Sequence, residues 1–148
     1  MSIDPRVRAQ ATHELEASRA EVWGFLTEPY HFSDWWPGIT SVRPDRRGLS
    51  PGARWEVVGP RQPTLFRKAY SSGLLLVRDV YPYERASWYL TVERLSVEIE
   101  LEAIDGTHTL ARLTVEGSWR PEALGRPRAL PRQALARLHA LCQTAASL

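Results

Sequence analysis

The segment from Ala17 to Ile39, ASRAEVWGFLTEPYHFSDWWPGI, reads as a helix that its own sequence breaks and then stops. Ser18 with Glu21 three residues later forms a capping-box pattern, so a helix opens there. Val22, Trp23, Phe25 and Leu26 are its apolar set. Pro29 ends or kinks it, because proline lacks a backbone donor and clashes with the preceding turn. A second short helix carries Tyr30, Phe32, Trp35 and Trp36 and stops at Pro37-Gly38. An ordinary amphipathic helix does not need a Trp-Trp pair against a Pro-Gly stop. The arrangement predicts a broken helix wedged into the mouth of a curved sheet, where large rings line a cavity.

The rest of the chain supplies such a sheet. Val7, Ala9, Ala11, His13 and Leu15 alternate with Arg8, Gln10, Thr12, Glu14 and Glu16, which is a half-buried strand ahead of the broken helix. Short strands follow at Ile39 to Arg43 and around Trp55, and Thr64 to Gly73 reads as either a strand or an ordered loop. Leu74 to Tyr81 and Arg85 to Val92 are further strands, with Pro82 closing the first. The clearest alternation sets Val97, Ile99, Leu101 and Ala103 against Ser96, Glu98, Glu100 and Glu102. Asp105-Gly106 is a hairpin signal, and the returning strand places Ala111, Leu113, Val115, Gly117 and Trp119 on one face. The glutamate row then opposes Arg112 on the solvent side. A long helix starts near Pro131, with Leu135, Leu138, Leu141, Cys142 and Ala145 as its apolar stripe.

With 148 residues and no linker or repeat, one domain spanning 1–148 is expected. The net charge of +2 gives no argument for nucleic acid. The arginines between Arg120 and Arg137 are interrupted by Pro121, Pro127 and Pro131, which reads as a loop leading into a solvated helix face. Lys68 is the only lysine, so Schiff-base chemistry would have one candidate. Cys142 stands alone on an apolar stripe, which excludes an internal disulfide and suggests an inert core thiol in a reducing compartment. MSIDPRVRAQ lacks the apolar core of a signal peptide, and no apolar run nears the ~20 residues of a membrane span. A cytoplasmic location without membrane insertion is the expectation. His13, His31, His108 and His139 are dispersed without metal-ligand spacing, so no metal is expected. Gly-rich nucleotide loops and a serine elbow are absent as well, so no cofactor is expected.

Taken together, ATHELEAS followed by AEVWGFLTEPYHFSDWWPGI resembles the opening of the START/Bet v 1-like superfamily, also called SRPBCC. GARWEVVG, VYPYERASWYL and DGTHTLARLTVEGSW resemble its central strands, and a terminal helix closes the pattern. The family includes proteins of the polyketide cyclase/dehydrase and lipid transport type. The resemblance implies an α+β helix-grip fold, a curved antiparallel sheet wrapped around the C-terminal helix with an apolar cavity between them. It implies no single activity, because fold does not give function.

Inside such a cavity, the candidate wall is Trp55, Trp88, Leu101, Leu113, Val115, Trp119 and Leu138, although each strand tryptophan serves equally as core. Trp23, Trp35 and Trp36 read instead as anchors of the broken helix. His13 faces inward by alternation, either as a satisfied core histidine or as a polar anchor and general acid/base. Within LLLVRDVY, only one of Arg78 and Asp79 faces inward unless a bulge intervenes. An inward Arg78 would bind a carboxylate or enolate oxygen; an inward Asp79 would serve as a base. Tyr70, Tyr81 and Tyr83 are candidate phenol donors at the entrance. Three functions remain: a carrier of a small hydrophobic ligand, a cyclase, aromatase or dehydratase using the same cavity, and a protein-interaction module. Monomer and homodimer are both compatible with the sequence, since an edge strand can pair with its mate.

Overall fold

A computed structural model describes residues 6–60, 70–118 and 129–146. In chain order they form β1 (Arg6–Leu15), α1 (Arg19–Thr27), a 3-10 turn (Pro29–His31) and α2 (Phe32–Trp35). Strands β2 (Ser41–Arg43), β3 (Arg54–Pro60), β4 (Tyr70–Tyr81), β5 (Arg85–Leu90), β6 (Leu95–Ala103) and β7 (Thr109–Ser118) follow, then α3 (Leu130–Ala146). The strands make one sheet in the order β1-β7-β6-β5-β4-β3-β2. Every neighbouring pair is antiparallel.

The period-2 pattern decides which face is concave. Leu95, Val97, Ile99 and Leu101 of β6 are buried with Ala111, Leu113 and Val115 of β7, while Glu102 and Arg112 are exposed. Arg112 reaches Glu100 at 3.2 Å, which is the solvent-side pairing expected from the sequence. Helix α3 lies over this buried face, chiefly against β1, and α2 also packs against it. Leu135, Leu138 and Cys142 point inward as expected; Ala145 of the expected stripe is exposed, and Ala134 is buried in its place.

The broken helix forms for local reasons. Ser18 Oγ accepts a bond from the Glu21 amide at 3.1 Å and starts α1. Pro29 opens the 3-10 turn, where its missing donor costs nothing. The Trp36 amide bonds to the Phe32 carbonyl at 2.8 Å, and Gly38 then takes φ of 85°, a left-handed turn that favours glycine. The chain here presses on β3, for a Cβ at Gly59 would collide with the Gly38 carbonyl. Thr109, a fully buried polar residue, donates its hydroxyl to the Ala17 carbonyl at 2.8 Å and ties the entry of α1 to β7.

Candidate functional site

Five rings meet where α2 enters the concave face. Phe32 stacks on Trp36 with centroids 5.4 Å apart and planes 15° apart. Trp88 of β5 receives Phe32, Trp35 and Trp36 edge-on, at 5.9, 6.1 and 6.2 Å. Trp55 of β3 meets Phe32 at 6.3 Å. These edge-on and offset contacts are the arrangements that ring quadrupoles favour. Trp35 and Trp36 thus anchor the broken helix on Trp88, and Phe32 adds a contact with Trp55.

The two strand tryptophans differ in one respect. Trp55 Nε1 donates to the Gly48 carbonyl at 3.1 Å in the β2–β3 loop. Trp88 is 3% exposed, and its Nε1 has no hydrogen-bond partner. A buried donor without an acceptor costs on the order of 1–3 kcal/mol, and native proteins keep few of them.

Leu101, Leu113, Val115 and Leu138 are buried on the same concave side. Trp119 lies outside the described residues, as does Lys68. Tyr81 and Tyr83 are exposed at the β4–β5 turn: Tyr81 lies under the Arg85 guanidinium at 4.3 Å, and Tyr83 leans on Trp23 at 6.1 Å.

His13 does face inward from β1, half-buried. Its ring meets that of His139 on α3 edge-on, with centroids 4.8 Å apart and planes at 70°. His139 Nδ1 is buried without a partner. His139 was legible in principle, because it sits four residues after Leu135 and three before Cys142 and so shares their helix face. Cys142 itself is shut away, and burial pushes its thiol up to about 11. Among the described residues no cluster of three or more His, Cys, Asp or Glu is placed to hold a metal.

Arg78 is corrected. The β4–β5 register slips between Val77 and Val80, so a bulge sets both Arg78 and Asp79 on the outer face. Arg78 Nη1 donates to Ser96 Oγ at 3.3 Å, and its guanidinium lies over the Tyr89 ring at 4.9 Å. Both residues line a polar groove of about 550 Å³ on the convex side, with Arg8, Glu98, Glu100 and Arg112. There the Glu98 carboxyl is held above its usual range, first by its hydrogen bond with Glu100 and then by partial burial. A carboxylate ligand inside the sheet would therefore not meet Arg78.

Solved structures share this architecture. The crystal structure of Ara h 8.0201 superposes with a TM-score of 0.68 at 12% identity, covering 95% of this chain and 99% of that one. The chain has the Bet v 1-like helix-grip fold. One half of the di-domain ARO/CYC BexL, from the BE-7585A biosynthetic pathway, gives a TM-score of 0.67 at 17% identity, covering 96% of this chain and 48% of that chain. The Aha1 dimer from Colwellia psychrerythraea gives 0.59 at 16% identity, over 93% of this chain and 95% of that one. No family profile and no curated protein sequence matches the chain. These likenesses show the fold alone, and the identities are too low to carry an activity across. No helix among the described residues is long and apolar enough to cross a membrane.

Proposed function

We propose that this protein binds a small hydrophobic molecule, a lipid, a polyketide or a similar planar hydrophobe, between the concave sheet face and α3. The observation that carries the reading is the unpartnered indole N–H of Trp88 inside a wall of rings. An apolar ligand bearing one carbonyl or ether oxygen would bury its body against Phe32, Trp35 and Trp36 and accept that bond. Apolar burial would supply the affinity, at roughly 25 cal/mol per Å² less the cost of ordering. The single acceptor would set orientation.

Native mass spectrometry of freshly purified protein, followed by solvent extraction, tests this directly. A discrete apolar adduct is expected, together with enhanced fluorescence of 1-anilinonaphthalene-8-sulfonate that the extract displaces. A clean apo mass and no dye binding to the folded protein would overturn the reading.

A second reading, a cyclase or dehydratase acting on a polyketide-like substrate in the same interior, draws support from the His13–His139 contact. An imidazole can both give and take a proton, and here two of them lie in contact. Turnover of the extracted compound, lost in His13→Gln with the adduct still bound, would favour catalysis. Binding without turnover would leave the carrier.

A further inference from the structure

The sheet has two unlike ends. At one, β2 is only three residues long, Ser41–Arg43. At the other, β1 runs for ten residues and pairs with β7 in an unbroken register from Arg6 to Leu15. No described strand pairs with its other side. Helix α3 packs beneath β1, while α1 and α2 pack chiefly on β6, β2 and α3. A long straight edge exposes a row of backbone donors and acceptors. Proteins usually blunt such an edge with proline, a bulge or a short strand. β1 contains no proline and no bulge.

Its side chains do carry charge, in a particular order. Arg8, Gln10, Thr12 and Glu14 are exposed on the outer face. We propose that this edge is the docking site for a second copy of the chain, with two β1 strands pairing antiparallel about a two-fold axis through Ala11. That register sets Arg8 against Glu14 of the second copy and Gln10 against Thr12, each twice by symmetry. Moving the axis by one residue either way takes Arg8 off Glu14. An axis between two residues would set outward side chains against inward ones, which the buried face forbids. On the concave side, Ala11 meets Ala11, and two small side chains leave the backbones free to approach.

The occupant is thus argued from charge. A like copy satisfies both signs at once, whereas an arbitrary extended strand meets an unmatched Arg or Glu. Arg8 already stands across from Glu116 of β7, but a guanidinium has more donors than one carboxylate accepts. The two seven-stranded sheets would become continuous, and main-chain bonds would carry most of the affinity while the charge pairs select the register. The dimer is independent of what the interior binds.

Sedimentation equilibrium on the full chain tests the proposal. The wild type is expected to dimerise, with a Kd that rises with salt as the exposed pairs are screened. Arg8→Glu and Glu14→Arg each put two like-charge pairs in the interface, and each is expected to weaken dimerisation about tenfold or more. Mixed in equal amounts, the two variants restore both pairs, so a heterodimer of near wild-type affinity is expected from two poor self-associators. Circular dichroism melts establish that each variant is folded. A wild type that stays monomeric up to its solubility limit would overturn the proposal. So would single variants that dimerise as well as wild type, or a mixture that associates no better than its components.

Discussion

Trp55 and Trp88 both touch the Phe32 ring from the sheet side, yet only Trp55 has an acceptor for its indole N–H. In the proposed ligand-binding reading, the difference gives Trp55 a structural role and Trp88 the free donor. Beyond the change in ring size, Trp88→Phe is expected to leave stability unchanged or raise it by up to about 1 kcal/mol, since it removes a buried unpaired donor. Trp55→Phe strips the Gly48 carbonyl of its donor and is expected to cost about 1 kcal/mol beyond the change in ring size. Urea denaturation of the two variants measures this. For any extracted ligand with an acceptor oxygen, Trp88→Phe should also weaken binding several-fold, and Trp55→Phe should not.

Two glycines should respond in opposite directions to the same substitution. A Cβ at Gly59 meets the Gly38 carbonyl, backbone against backbone, so Gly59→Ala must push β3 away from the end of α2. The expected cost is about 1–3 kcal/mol, the range of core overpacking. Gly24 sits exposed in α1 with open space around its Cβ position. Gly24→Ala should stabilise by about 0.5–1 kcal/mol through helix propensity. Equal melting temperatures for the two variants would refute the packing argument.

How far the sequence reaches is visible in particular strands. The β6 and β7 faces follow from strict alternation bounded by Asp105-Gly106, and the Arg112–Glu100 pair follows from them. The broken helix follows from Ser18, Pro29 and Pro37-Gly38, because caps and breakers act locally. Arg78 could not be placed, because a bulge is a two-strand event: Ser87 of β5 takes the Asp79 amide at 3.2 Å, and nothing in LLLVRDVY alone announces it. His139 went unpaired with His13 for the same reason. Its helix face was readable, but which strand that face would meet depends on how α3 crosses the sheet.

Thr109 holds a junction that hydrophobic pattern cannot supply. Its hydroxyl is the donor to the Ala17 carbonyl, and Thr109 is fully buried. Thr109→Val keeps the volume and leaves that carbonyl unpaired, so a loss of about 1–3 kcal/mol is expected. Thr109→Ser retains the hydroxyl and should recover much of it. Chemical denaturation at constant m-value separates the two; a larger loss in Thr109→Ser than in Thr109→Val would assign the effect to packing of the methyl group instead.

The β6–β7 turn should titrate as an ion pair. Asp105 accepts from the Thr107 amide at 2.7 Å and from His108 Nδ1 at 3.0 Å. The Thr107 bond first, and then His108, hold its carboxyl down at about 2. In return the bond to Asp105 raises His108 above its ordinary 6.5. A lowered carboxylate contributes stability that is complete above its unfolded value of 3.8 and is lost as pH falls through about 2. A raised histidine contributes stability that is complete below 6.5 and is lost as pH rises through its folded value. The stability contributed by the pair is therefore complete only between those two unfolded values, and it is lost as pH falls through about 2 or rises through the folded value of His108. An NMR titration of the His108 ring should show a midpoint above 6.5 in the wild type, falling back toward it in Asp105→Asn. A midpoint that does not move on that substitution would mean that Asp105 is not what holds the proton on His108.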